Sequence, residues 1–155
     1  MSMWIYLRTV EPGDMPADTA GFDAFFDMED DEMRRWAELG EATWLEDCFF
    51  QLAELYCPPG EQVGVNELPV FGGHHVLDPA GGPGHVALDP AGVVQAAAFL
   101  REVSFADRWQ AWARLRSSDP YEGLQEHLAR EHDELTAFYA TAAEQGRAVA
   151  KTFSF

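Results

Sequence analysis

The chain is 155 residues long, with 47% hydrophobic, 13% aromatic and 24% charged residues; this is enough apolar material for one folded domain and too little chain for two. Its 27 acidic residues against 10 basic ones give a formal net charge of −17, which repels a phosphate backbone and sets nucleic-acid binders aside. No apolar run approaches the roughly 18–20 residues of a membrane-spanning helix.

Residues 3–10, MWIYLRTV, are aromatic, β-branched and apolar and predict a strand, ended by Glu11-Pro12-Gly13. Phe22, Phe25, Phe26, Met33, Trp36 and Ala37 recur at helical spacing, so a helix is expected over Phe22 to Leu39. Five acidic residues in the six from Asp27 to Glu32 interrupt it and give it a place to break. Thr43-x-x-Glu46 reads as a capping box, followed by an apolar face of Leu45, Cys48, Phe49, Leu52, Leu55 and Tyr56. Pro58-Pro59-Gly60 stops that helix.

Residues 61–88 hold six glycines and three of the five histidines and predict short strands joined by turns. So long a connection in a compact domain usually contributes a site or a surface. Asp89 with Pro90 opens the next helix, faced by Val93, Ala97, Leu100 and Val103. Ser104 caps a shorter one carrying Trp109, Trp112 and Leu115. Asp119-Pro120 opens a long helix striped by Tyr121, Leu124, Leu128, Leu135, Phe138, Tyr139 and Ala142, with Gly146 as its terminal glycine. Residues 147–155 alternate as a last strand. The expected fold is a single α+β domain over 1–155, with about four to five helices and a small sheet that includes both terminal strands.

No basic leader with an apolar core is read at the N-terminus. Cys48 and Cys57 stand alone and make no zinc motif; as free thiols they indicate a reducing, cytoplasmic setting.

Several segments in order carry a family resemblance: MSMWIYLRTV, the central helix with Trp44 at its start, PVFGGHHVLD, GPGHVALDPAGVVQAAAFL and FYATAAEQGRAVAKTFSF. Together they resemble the bacterial YfbM-like proteins, a domain family of unknown function. The family's Gly-x-Gly-Pro-x-Arg-Tyr-Leu stretch corresponds to Gly82, Pro83, Gly84, His85, Val86, Ala87 and Leu88, with Val86-Ala87 where the Arg-Tyr pair is expected. The resemblance implies an α+β fold and a cytoplasmic bacterial protein, and no reaction.

Chemistry is sparse. There is no Gly-x-Ser-x-Gly elbow, and Gly82-x-Gly84-x-x-Ala87 lacks the βαβ context of a dinucleotide site, so no cofactor is expected. His74, His75 and His85, near Asp78 and Asp89, match no metal-ligand spacing; a zinc site there is the weaker reading beside packing and solvation. His132 falls with Glu131 on the apolar stripe of the long helix, where it is either a satisfied interior histidine or a general base.

The charge is the strongest signal. Residues 11–47 hold 13 acidic and two basic residues, a local net of −11. Asp27, Glu29, Asp30, Asp31 and Glu32, flanked by Trp36 and Trp44, are read either as a solvated face or as a docking surface for a basic protein. The leading expectation is a binding protein, immunity- or inhibitor-like, and not an enzyme. The alternative is a ligand- or metal-binding protein or enzyme whose pocket is built by residues 69–88 and the C-terminal helix. Gly72, Gly73, His74, His75, His85 and His132 would line it.

Overall fold

The structure is a computed structural model that describes residues 2–81, 84–116 and 121–154. Among these, six helices surround a five-stranded antiparallel sheet of order β2-β1-β5-β4-β3. The strands are β1 (Trp4–Val10), β2 (Ala42–Glu46), β3 (His74–Val76), β4 (His85–Leu88) and β5 (Ala148–Ser154). The helices are α1 (Thr19–Phe26), α2 (Asp30–Glu38), α3 (Phe49–Tyr56), α4 (Pro90–Glu102), α5 (Phe105–Leu115) and α6 (Leu124–Glu144). Both terminal strands lie side by side in the sheet, as the α+β expectation has it. The Asp119-Pro120 cap and the Gly82-Pro83 pair lie outside the described residues.

Alternation along the strands divides the structure into two layers. Ile5, Leu7, Leu45, Val86, Leu88, Val149 and Phe153 point into the main core, which α3, α4, α5 and α6 cover. Val10, Ala148 and Ala150 point the other way and meet Phe22 of α1 in a second, smaller cluster. The alanines leave room for α1 to approach the sheet, so both faces of β5 are buried.

Three sequence expectations are corrected. The helix over Phe22 to Leu39 does break within the acidic run, where Asp27, Met28 and Glu29 leave the helical path, and the helix count becomes six instead of four to five. Asp30, Asp31 and Glu32 then fall in the first turn of α2, where carboxylates complement the positive end of the helix dipole. Thr43-Trp44-Leu45 is β-strand and not a capped helix start: β-branched and aromatic residues pair with β1, and the helix begins only at Phe49. Leu115 and Tyr121, placed on buried stripes by spacing alone, are 74% and 57% exposed because they sit beyond the packed length of their helices. Cys48 is buried and Cys57 half-buried, both free.

The least expected core residue is Lys151, fully buried on β5 among the inward-facing side chains. Its Nζ donates to the carbonyls of Leu68 (2.5 Å), Val70 (3.1 Å) and Gly72 (2.9 Å). Burial pulls the ammonium down to about 7. Three acceptors, one for each N–H of the charged form, oppose that pull. Tyr139 of α6 donates to Pro69 O (2.9 Å), so the loop before β3 is pinned from two elements. Gly73 then enters β3 at φ 134°, where a Cβ would stand 2.6 Å from Val86 Cγ1 and 2.8 Å from Ala87 O.

Candidate functional site

The two candidate regions meet different fates in the fold. The histidine set does not gather around one cavity. His74 and His75 are exposed on the edge strand β3, on opposite faces, in register with Ala87 and Val86. His85 is buried on the α1 face, stacked on Phe22 (centroids 5.0 Å), with Nε2 3.1 Å from Asp23 Oδ1. His132 lies in the main core, its Nδ1 2.8 Å from Tyr56 Oη and its ring stacked on Phe105. Desolvation lowers its basicity, the opposite of what a general base working near neutral pH would gain from its surroundings. Among the described residues no three His, Cys, Asp or Glu side chains are placed to hold a metal ion.

A cavity of about 580 Å³ does open beside the glycine-rich segment. Of the six proposed pocket residues it takes only Gly73 and His74; Leu88, Asp89, Gly92 and Gln95 of β4 and α4 form much of the rest. The C-terminal helix α6 reaches the 68–72 loop through the Tyr139 hydrogen bond and contributes no residue to the lining of this cavity. Gly72 is explained by close packing, since a Cβ there would meet Leu68 Cα at 2.8 Å.

The acidic region is built differently. Asp27, Glu29, Asp30 and Asp31 are exposed in the α1–α2 connection and the first turn of α2, and Glu32 is half-buried. Trp36 is half-buried and occupied: the Arg8 guanidinium lies 4.3 Å from its ring and 4.2 Å from that of Phe25, and Arg8 donates to Phe25 O (2.8 Å). This contact ties α1 and α2 to β1. Trp36 is therefore a clamp first.

Trp44 sits elsewhere. Hydrogen bonds from Thr9 to Glu41 and from Asp47 to Met3 set the β1–β2 register, which makes Tyr6–Trp44 and Trp4–Glu46 directly opposed, non-hydrogen-bonded pairs on the outer face. Trp4 and Tyr6 lie with rings nearly parallel, 6.1 Å between centroids. With Asp30, Met33 and Arg34 of α2, these four residues enclose a cavity of about 220 Å³. Burial first, then the charges of Asp30 and Glu46, push the Tyr6 hydroxyl above its ordinary value, so the cavity lies in a negative field.

On the other side of Trp44, Glu131 of α6 reaches the open edge of the sheet and its Oε1 accepts the Glu46 N–H at 3.1 Å. His127, one turn earlier, has Nε2 3.3 Å from the same oxygen. Glu131 Oε2 is buried without a partner, and desolvation pushes the carboxyl up to about 7. These residues line a second cavity of about 310 Å³ with Trp44, Arg130 and Glu134.

The fold places these features in a recognisable company. The crystal structure of YfbM from Escherichia coli, a protein of unknown function, superposes with a TM-score of 0.55 at 11% sequence identity, over 97% of this chain and 99% of that one. The chain has a YfbM-like fold. No family profile and no curated protein matches the sequence. The YfbM-like fold thus accounts for the architecture, and the chemistry has to be read from the side chains.

Trp4 and Tyr6 were absent from the sequence-based surface, although their signal is legible. With strand period two, Trp4, Tyr6 and Arg8 alternate with the core residues Ile5 and Leu7, so the outer face of β1 carries two rings and a cation. The i, i+4 spacing of His127 and Glu131 was equally readable.

Proposed function

We propose that this protein acts by binding a basic protein partner on its acidic face, as an immunity protein or inhibitor does, in the cytoplasm and without catalysis. The observation that carries this reading is the adjacency of two features. Asp30, in one run with the exposed Asp27, Glu29 and Asp31, lines a cavity together with the half-buried rings of Trp4, Tyr6 and Trp44. Carboxylates steer a cationic partner in, and indole and phenol rings give it something to pack on. The acidic first turn of α2 also stabilises that helix, yet Asp27 precedes the helix altogether and gains nothing from its dipole.

The test is affinity capture with the wild-type chain and two charge variants. One neutralises the face: Asp27→Asn, Glu29→Gln, Asp30→Asn, Asp31→Asn and Glu32→Gln. The other removes as many carboxylates from the remaining surface: Glu102→Gln, Asp107→Asn, Glu126→Gln, Asp133→Asn and Glu144→Gln. A basic partner held by wild type and the second variant, released by the first and by about 0.5 M salt, supports the reading. Equal loss in both variants refers binding to net charge and overturns it.

A second reading rests on the cavity of about 580 Å³ between β4, α4 and the 68–74 segment. Its size suits a small molecule, with His74, Asp89 and Gln95 as polar contacts. A compound that raises the melting temperature of wild type but not of an Ala91→Trp variant would favour it.

A further inference from the structure

The outer face of β1 carries two aromatic arrangements side by side. In the first, Arg8 fills the space between Phe25 and Trp36, about 4 Å from each ring. The second is the cavity walled by Trp4, Tyr6 and Trp44, with the carboxylates of Asp30 and Glu46 on its walls. Among the described residues no cation of the chain stacks on these three rings. Arg34 also lines the cavity, but its side chain is 70% exposed and turned to Asp31, 3.8 Å away.

We infer that the Trp4–Tyr6–Trp44 cavity takes a cationic side chain, lysine or arginine, from the protein partner. Ring faces attract a cation through their quadrupoles, and the strength rises when the cation is shielded from water. Two carboxylates at the cavity add direct charge pairing, which fixes the head group where the rings hold its aliphatic stem. A volume of about 220 Å³ suits one side chain and is small for a folded element. The register explains the arrangement: alternate residues of β1 and their opposed partners on β2 converge on one face, and the first helical turns of α2 close the cavity.

This inference rests on the basic-partner reading, and the experiment separates the two. The probes are acetylated, amidated peptides in a glycine–serine frame carrying lysine, arginine, acetyl-lysine or citrulline at the centre. Binding is followed by isothermal titration and tryptophan fluorescence against wild type, Trp44→Leu, and the shape-preserving pair Asp30→Asn with Glu46→Gln. The expected result is binding of the lysine and arginine peptides, no binding of the two neutral ones, and a loss of about five- to tenfold in both variants. Trp44→Phe, which keeps a ring in place, restores most of the affinity. Cationic peptides that bind all variants equally, but fail on the variant neutralised over Asp27–Glu32 with Asp30 left intact, remove the cavity and leave the face. Peptides that bind none of these proteins differently remove both.

Discussion

Tyr6 and Trp44 face each other across the β1–β2 pair, on the side of the sheet away from the main core. Their opposition puts aromatic surface beside Asp30, a member of the densest run of carboxylates in the chain. Trp36, eight residues away in sequence, lies under a different cation and does different work. The two tryptophans are therefore expected to separate in mutagenesis. Trp36→Ala strips the Arg8 clamp from between α1, α2 and β1 and should cost about 1–3 kcal/mol of stability. Trp44→Ala should cost less in stability and more in partner binding. Denaturant titration beside binding measurements tests both; equal effects of the two substitutions on each quantity would argue against the division.

Glu131 sets a pH dependence with a definite sign. Its folded-state value of about 7 lies above the ordinary 4.5, so the folded chain holds a proton that the unfolded chain has lost between those two values. The stability from this group is fully present below about pH 4.5 and is lost as pH rises through about 7. Glu131→Gln imitates the protonated form and keeps an acceptor for the Glu46 N–H. The variant should match wild type near pH 4 and be more stable by about 1–2 kcal/mol at pH 8. Urea unfolding across that range gives the answer, and a variant less stable than wild type at pH 8 contradicts it.

Lys151 holds three carbonyls of the 68–72 loop, of which Leu68 O also takes a longer bond from Tyr139 Oη (3.4 Å). Lys151→Met keeps the volume and removes the donor, so the carbonyls of Val70 and Gly72 lose their bonds to it in the interior and Leu68 O is left with the longer one from Tyr139. The cost is expected at about 2–4 kcal/mol, with faster hydrogen exchange confined at first to the 68–76 stretch. A neutral outcome would mean that the cost of burying the ammonium cancels what its hydrogen bonds contribute.

Gly73 gives the sharpest backbone prediction. At φ 134° with Val86 Cγ1 2.6 Å from the added carbon, Gly73→Ala must shift β3 away from β4. The expected loss is about 2–3 kcal/mol, whereas Gly60→Ala, with φ 88° and open space around it, should lose about 1 kcal/mol. Comparable losses at the two glycines would show that the close approach costs nothing.

How far the sequence could be read follows from these same residues. The α3 to α6 helices were legible from their apolar stripes, and α4 and α5 also from their caps: Asp89 accepts from Gly92 N–H and Ser104 from Asp107 N–H, as their positions predict. The first strand was legible from its β-branched, aromatic and apolar residues and the last from alternation. Thr43-Trp44-Leu45 was misread because a capping-box pattern and a strand pattern coincide there, and only pairing with β1 decides between them. Lys151 was invisible because its acceptors lie about 80 residues away in a loop with no sequence signature. The aromatic cavity needed the β1–β2 register, a long-range fact, before Trp4, Tyr6 and Trp44 became neighbours. The histidines misled in the opposite direction. Their closeness in sequence is undone by strand alternation, which sends His74 and His75 to opposite faces.

The most direct measurement is a residue-resolved NMR titration with a short oligolysine at low salt. The expected first responders are the amides of Asp27 to Trp36 and the indole N–H signals of Trp4 and Trp44, with Trp109 and Trp112 unmoved. Shifts spread evenly over the surface, or centred on α5 and α6, would contradict the placement of a cation-binding face on this side of the sheet.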